Sequence, residues 1–196
     1  MNTLEAILTR RSTRKYQKKP VNSQMINWVV EAGRYAPSGG NSQSSHFFVI
    51  TDPNVLSELK DMVYNAFLNM EIKEGMYRSL IGSIQKAKSG KKDFFYEAPC
   101  LIVMANQKNY GNNLADTGCV IENMMLAANE LDLGSCWINQ LKWLNEDPTL
   151  VSYFIRLGMK EEERIYGAMA LGFADTADGL PERELLKRIG NEVKYI

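Results

Sequence analysis

The chain has 196 residues, of which 45% are hydrophobic and 23% are charged. This length suits one domain with a sizeable core, so we expect a single domain over residues 1–196. Lys and Arg together number 23, as do Asp and Glu, which excludes a global charge that would attract nucleic acid or anionic lipid. Any anion site must therefore be local.

No segment reads as a membrane span or a secretion signal. The longest apolar run, Ala98 to Ala105, is far shorter than the roughly 20 residues that cross a bilayer. Glu5 lies where a signal peptide would be apolar. We therefore expect a cytoplasmic protein.

The cysteines and the single histidine argue against metal chemistry. Cys100, Cys119 and Cys136 form no C-x-x-C pair and have apolar neighbours, which predicts buried thiols rather than disulfides or metal ligands. His46 alone cannot supply the two or three imidazoles that most zinc sites with nitrogen ligands use. We interpret it as a satisfied histidine at the edge of a strand. If the protein is an enzyme, a cofactor carries the chemistry.

Helix and strand patterns alternate along most of the chain. Asn2 with Glu5 resembles a capping box, and Asp52-Pro53 and Asp147-Pro148 each place an N-cap before a first-turn proline. The predicted helices cover residues 3–10, Asn22 or Ser23 to near Tyr35, 53–63, 114–131 and 148–158. The predicted strands cover residues 47–51, 100–105, 135–138 and 164–174.

Three of these elements carry specific expectations. The continuous apolar run 100–105 predicts a central strand covered on both faces. Apolar residues on most sides of helix 114–131 predict burial in the middle of the molecule. Gly134 is expected to end that helix as its C′ residue.

Two stretches depart from the alternation. Residues 64–97 contain three glycines and six aromatic residues, and we interpret them as an inserted helical excursion or lid. Residues 175–196 are polar but end in the sequence Val193-Lys194-Tyr195-Ile196. We expect this ending to pair with something, and a second subunit is one candidate.

Two motifs about 30 residues apart point to a flavin that carries a phosphate. The segment Arg10 to Tyr16 concentrates guanidinium charge and hydroxyls where a helix gives way to extended chain, which suits a phosphate dianion. The segment Ala36 to Gln43 offers small residues and neutral amides, which suit the edge of a planar heterocycle. Either motif alone is typical of an ordinary solvated turn or loop.

Five motifs in order carry a resemblance to a known family. They are Arg10 to Tyr16, Ala36 to Gln43, Ala127 to Ile138, Ala170 to Phe173, and the basic pair Lys187-Arg188. With these motifs the chain resembles the FMN-dependent nitroreductase family over essentially its full length. The resemblance implies an α+β fold with a mainly antiparallel central sheet flanked by helices. It also implies an intertwined homodimer with two FMN sites at the subunit interface.

The resemblance also implies which residues contact FMN. The phosphate and the pyrimidine edge would be held by Arg10, Ser12 and Arg14, with Arg11 beside them. Arg188, with Lys187, would close on the phosphate from the carboxyl-terminal segment.

The isoalloxazine ring would contact two further segments. The partner subunit would lay Pro37, Ser38, Gly39 and Asn41 against the ring. The stretch 134–139, including Trp137 and Ile138, would offer backbone groups near N5, with Ile138 closest. An asparagine near the pyrimidine edge could be Asn65 or Asn69, and Ser44 stands where many members of the family have proline.

The implied activity is reduction of nitroaromatic, quinone or similar electron-poor acceptors by a ping-pong hydride mechanism, with NADH or NADPH as co-substrate. Residues 64–97 would form a variable wall of the acceptor site. Asp116 and Glu122 are interpreted as polar groups of the surface or an interface rather than catalytic carboxylates. Two alternatives stay open: a related flavoenzyme with another reductive reaction, such as dehalogenation, and a flavin-binding protein without turnover.

Overall fold

The apolar run near the middle of the chain becomes the strand around which the fold is built. A computed structural model describes residues 1–190 and 192–196. Its strands are β1 (His46–Ile50), β2 (Cys100–Gln107), β3 (Gly134–Ile138) and β4 (Glu163–Gly172). They form one sheet in the order β1-β2-β4-β3, and every neighbouring pair is antiparallel. The predicted antiparallel sheet is confirmed.

Four of the helices begin where the capping patterns place them. Their bounds are α1 (Thr3–Thr9), α2 (Ser23–Arg34), α3 (Pro53–Leu68), α4 (Arg78–Lys88), α5 (Asn113–Glu130), α6 (Gln140–Trp143) and α7 (Pro148–Arg156). The side chains of Asn2, Asn22, Asp52 and Asp147 each accept a backbone N–H of the first turn. Within residues 1–190 and 192–196, no helix has the length and apolarity that crossing a bilayer requires.

Strand β2 is buried on both faces because its side chains alternate between two cores. Leu101 and Val103 face the core that α3, α4 and α7 complete. Ile102 and Met104 face the core that α2 and α5 complete. The central strand predicted from the apolar run is therefore confirmed, and it separates two helical layers.

The segment 64–97 contributes more to the core than its sequence suggested. Helix α3 continues to Leu68, and α4 is the predicted helical excursion. Phe67, Phe94 and Phe95 are almost fully buried, whereas Tyr77 is exposed. Half of the six aromatic side chains therefore stabilise the fold and are not available to form the wall of a substrate site.

Helix α5 is buried along one side only. Leu114 and Cys119 are exposed in the single chain, so the predicted burial in the middle of the molecule is confirmed for one side of the helix and wrong for the other. Cys100 and Cys136 are buried as predicted, but Cys119 is not. The Ala and Gly residues of this helix make its composition apolar, but such small side chains do not require a neighbouring element on every side.

The end of α5 also differs from the prediction. Asp132, with φ of 60°, adopts the left-handed conformation that Gly134 was expected to supply. The N–H of Leu133 donates to the carbonyl of Ala128 at 2.8 Å, which closes the helix two residues earlier. Gly134 is instead the first residue of β3.

The carboxyl-terminal residues form no strand in the described part of this chain. Val193, Tyr195 and Ile196 are exposed. Within the single chain this ending therefore has no partner strand among the described residues, and its pairing with something else, such as a second subunit, stays a prediction. Asn191 lies outside the described residues.

Candidate functional site

The basic segment that follows α1 is fixed to the ends of β3 and β4 through its backbone. The N–H of Thr13 donates to the carbonyl of Ser135 at 2.9 Å, and the N–H of Gln17 donates to the carbonyl of Phe173 at 2.9 Å. The Tyr16 hydroxyl donates to the Thr13 carbonyl at 2.8 Å. Burial raises the pKa of the Tyr16 phenol well above its usual range, so this donor keeps its proton.

Two glycines make room for this segment. A Cβ at Gly134 would lie 2.7 Å from the Cβ of Thr13. A Cβ at Gly172, which pairs with Gly134 across the sheet, would lie 2.9 Å from Cδ1 of Tyr16. Only residues without a side chain let the segment lie directly on the sheet, which explains the glycines in the third and fourth motifs.

The positive side chains of this basic segment line one cavity. The cavity has a volume of about 280 Å³ and is lined by Arg10, Arg11, Ser12, Arg14, Leu186 and Arg188. Four guanidinium groups from both ends of the chain therefore surround a space that suits a small polyanion. The structure brings together five of the six residues that the sequence assigned to a phosphate. Lys187 is exposed and lies outside this lining.

The arginines of this cavity have weak partners in the single chain. Arg10 Nε contacts Glu122 Oε1 at 3.3 Å. Arg11 donates to the carbonyl of Glu184 at 3.0 Å and lies 4.0 Å from the Glu182 carboxylate. Because these carboxylates are half to largely exposed, such pairs contribute little and can be exchanged for a more highly charged anion.

The position of Arg188 depends on a contact that the sequence did not reveal. Arg183 donates to Asn129 Oδ1 at 3.1 Å and to Asp132 Oδ1 at 2.6 Å. Asn129 is buried and donates in turn to the carbonyl of Ala6 at 3.1 Å. Arg183 therefore attaches the carboxyl-terminal segment to α5 and α1 five residues before Arg188. The apolar pattern of α5 could have flagged Asn129 as a polar residue on a buried face.

The loop between α2 and β1 is held by its backbone. The N–H of Gly39 donates to Asp116 Oδ1 at 3.1 Å, and the Tyr110 hydroxyl donates to the Gly39 carbonyl at 2.9 Å. The hydroxyl of Ser38 accepts the N–H of Gln43 at 3.0 Å. Asp116 is only 5% exposed, so it is not a polar group of the surface, and its interpretation as a polar group of an interface stays a prediction.

The single chain does not bring this loop to the cavity. The loop precedes His46, which pairs with Ala105, whereas the basic segment lies beside Ser135, which pairs with Leu171 at the other end of the sheet. From the rise per residue and the spacing between strands, these two residue pairs lie about 20 Å apart along the strands. The two edges of the sheet lie about 14 Å apart across the strands. Pro37, Ser38, Gly39 and Asn41 therefore stand apart from the arginines.

Strand β3 presents backbone groups at the edge of the sheet. The carbonyl of Ser135 points away from β4 toward Thr13, and backbone direction alternates along a strand. The outward groups beyond Thr13 are therefore those of Trp137, not those of Ile138. The Ile138 side chain is 1% exposed, and the closest approach of Ile138 to N5 stays a prediction. The Trp137 indole is half-buried and donates to Asn139 Oδ1 at 3.0 Å.

The only histidine has a structural partner. His46 Nδ1 lies 2.9 Å from Glu163 Oε2, and Glu163 is buried. His46 begins the edge strand β1, far from the cavity. The prediction of a satisfied histidine at the edge of a strand is confirmed.

Comparisons with known proteins agree with this architecture. The profile of the Nitroreductase family matches residues 7–173. A nitrobenzene nitroreductase of Ectopseudomonas oleovorans is 25% identical, with 92% of this chain and 89% of that protein covered.

Two solved structures are similar along their whole length. A nitroreductase of Bacteroides fragilis NCTC 9343, solved with bound FMN, is 33% identical with a TM-score of 0.86, covering 100% of this chain and 99% of that one. A nitroreductase of Desulfitobacterium hafniense DCB-2, also with bound FMN, shares the fold at 23% identity with a TM-score of 0.80 and the same coverage. By profile, sequence and fold, this chain belongs to the nitroreductase family.

Proposed function

We propose that this protein is an FMN-dependent NAD(P)H oxidoreductase that reduces nitroaromatic, quinone or similar electron-poor acceptors. The observation that carries the proposal is the cavity in which Arg10, Arg11, Arg14 and Arg188 converge with the Ser12 hydroxyl. The 33% identical Bacteroides fragilis nitroreductase, whose structure contains FMN, supports the choice of anion.

The donor set fits a phosphate monoester. A phosphate dianion accepts several charge-assisted hydrogen bonds, and each contributes roughly 1.5–3 kcal/mol net. Three or four such bonds suffice for micromolar or tighter retention after the cost of association. Arg11, Ser12 and Arg188 would hold the phosphate.

The remaining arginines would act on the ring. When bound, FMN supplies a two-electron carrier that accepts hydride from NADH or NADPH and delivers it to the acceptor in a separate half-reaction. Arg10 and Arg14 would place positive charge at the pyrimidine edge, where reduction adds negative charge. The outward backbone groups of Trp137 would offer hydrogen bonds along the ring edge.

This chemistry requires no acid or base from the cavity. The side chains that line it are arginine, serine and leucine, whereas His46 is engaged with Glu163 at another edge of the sheet. Water can supply the protons. Residues 64–97 would contribute to the acceptor wall through exposed groups such as Tyr77.

We further propose that the active form is a cytoplasmic homodimer. The loop 37–45 lies too far from the cavity of its own chain to cover the ring there. A second copy can supply the same loop, which would couple dimerisation to cofactor binding. The exposed apolar residues of the carboxyl-terminal segment support an additional contact between copies.

The proposal is tested on the purified protein. We expect the visible absorption of FMN, which should bleach when NADH or NADPH is added without oxygen and return when nitrobenzene or a benzoquinone follows. FMN retention without bleaching would instead indicate a flavin-binding protein without turnover. Bleaching without reoxidation by these acceptors, but with reoxidation by a halogenated aromatic compound, would indicate the dehalogenase alternative. Protein that binds no added FMN would refute the cofactor assignment itself.

A further inference from the structure

We propose that Asp116 and Tyr110 are positioning residues that keep the loop 38–43 in the shape with which it covers the cofactor of the partner subunit. The inference rests on the proposed function, because the loop serves catalysis only if a ring lies beneath it. The two residues do not line the phosphate cavity of their own chain, and they act on the cofactor only through the loop.

The two residues hold opposite ends of one amino acid. The carboxylate of Asp116 accepts the N–H of Gly39 at 3.1 Å, and the hydroxyl of Tyr110 donates to the carbonyl of Gly39 at 2.9 Å. The Tyr110 hydroxyl has one proton, which the Gly39 carbonyl and Asp116 Oδ2, at 3.0 Å, share as acceptors, and its oxygen accepts the Ser42 hydroxyl at 3.1 Å. Both polar groups of the Gly39 backbone are therefore fixed from the same side.

Neighbouring side chains leave little space around Gly39. A Cβ at this position would lie 2.6 Å from the Tyr110 hydroxyl oxygen and 2.0 Å from Asn112 Nδ2. The φ angle of Gly39 is not in the left-handed region, so this glycine is required by close approach and not by backbone conformation.

The residues after Gly39 adopt conformations that need such support. Gly40, Asn41 and Gln43 have φ angles of 59°, 55° and 47°. Residues with a side chain seldom adopt this region, and a short exposed loop would relax from it without external contacts. Ser44 adds a second attachment through its hydroxyl, which donates to Asn106 Oδ1 at 2.9 Å.

The support itself is rigid. Asp116 lies in the first turn of α5, where the helix dipole favours a negative charge, and α5 packs along the sheet. Asp116 is 5% exposed and forms no ion pair with any Lys or Arg of residues 1–190 and 192–196. Its hydrogen-bond partners belong to the loop and to Tyr110. The main interaction of this buried carboxylate is therefore with the loop.

The experiment combines amide hydrogen exchange of residues 39–43 with FMN affinity from flavin fluorescence. Asp116→Ala should speed exchange in the loop and raise the FMN Kd by about 10-fold, and Tyr110→Phe should do so by about 3-fold. Asp116→Asn should stay close to wild type, because its amide oxygen still accepts the N–H of Gly39. The matched control is Asp61→Ala, which removes an exposed carboxylate from α3.

Each outcome distinguishes the two proposals. Faster loop exchange with weaker FMN binding in Asp116→Ala and Tyr110→Phe, but not in Asp61→Ala, supports the inference. Faster loop exchange with unchanged FMN affinity, or unchanged loop exchange, overturns the inference and leaves the proposed function intact. A wild-type protein that binds no FMN overturns the proposed function instead. If Asp116→Ala does not fold, the isosteric Tyr110→Phe variant decides.

Discussion

The basic segment, residues 10–15, presents charged side chains from a fixed backbone, whereas the loop, residues 37–45, presents a backbone that side chains elsewhere fix. In the first region, Thr13 is bonded to Ser135 and the guanidinium groups project into the cavity. In the second, Gly39 has no side chain, and Asp116 and Tyr110 hold its peptide groups. The two regions therefore suit different parts of a ligand: charge for a phosphate, and shape for a ring.

The difference also predicts how each region responds to substitution. Removing a charge from the basic segment should weaken ligand binding and leave the fold intact, because the arginines have only weak partners in the chain. Adding a side chain beneath the segment should damage the fold, because the backbone lies directly on the sheet. Substitutions in the loop should leave the free energy of unfolding nearly unchanged and weaken only ligand binding.

The largest effect is expected from removing two charges of the cavity. Arg14→Ala with Arg188→Ala should raise the FMN Kd by about 100-fold or more, since each charged hydrogen bond contributes roughly 1.5–3 kcal/mol. Gel filtration should then separate the protein from FMN. The control pair Arg156→Ala with Lys160→Ala removes two exposed charges and should retain the cofactor. A yellow double variant would contradict the assignment of this cavity to FMN.

The next effect comes from filling the space beneath the basic segment. Gly134→Ala should lower the free energy of unfolding by about 1–3 kcal/mol, because the new Cβ would overlap Thr13. Urea unfolding measures this change. The control Gly82→Ala, in α4 with open space around its Cβ, should raise stability by about 0.5–1 kcal/mol. Equal responses of the two variants would show that the segment does not lie on β3 as described.

A smaller effect is expected where the carboxyl-terminal segment attaches to α5. Arg183→Ala should raise the FMN Kd by about 3- to 10-fold, because Arg188 loses its placement without losing its charge. A double-mutant cycle checks this mechanism: Arg188→Ala should cost less affinity in the Arg183→Ala background than in the wild type. Additive losses would mean that Arg183 does not position Arg188.

The smallest effect on stability is expected in the loop. Gly39→Ala should lower the free energy of unfolding by less than about 1 kcal/mol, because the atoms nearest the new Cβ, Asn112 Nδ2 and the Tyr110 hydroxyl oxygen, are the ends of side chains that can shift. FMN affinity should nevertheless fall several-fold, since the Tyr110 hydroxyl loses its distance to the Gly39 carbonyl. Urea unfolding and fluorescence titration of the same sample separate the two quantities. A stability loss as large as that of Gly134→Ala would remove the contrast between the regions.

Local signals in the sequence predicted the helix starts and the central strand well. Asn2, Asn22, Asp52 and Asp147 cap the helices they precede, because a side-chain oxygen beside free backbone N–H groups acts over a few residues. The apolar run of β2 likewise needed no knowledge of its neighbours. The predicted end of α5 was wrong because Asp132 and Gly134 are both able to end a helix. Only the close approach of Gly134 to Thr13 decides between them.

The candidate site divides in the same way. The residues of the cavity were predictable as a set because motif order and charge are properties of the chain, and five of the six assigned to the phosphate converge. Lys187 was not excluded by sequence, since its neighbour Arg188 has the same charge and only the path of the backbone separates them. Asp116, Asn129 and Arg183 were missed because their importance lies in partners 50 or more residues away.

By itself, the sequence determined the family, the element types, the neutral surface with a local basic segment, and the side chains able to hold an anion. Only the tertiary structure decided that the loop and the basic segment of one chain lie at opposite ends of the sheet, that Trp137 rather than Ile138 directs its backbone outward, and that Asp116 is buried against Gly39. The physical reason is range: capping and periodicity act within a turn or a strand, whereas burial and long-range hydrogen bonds depend on which distant segments the packed sheet brings into contact.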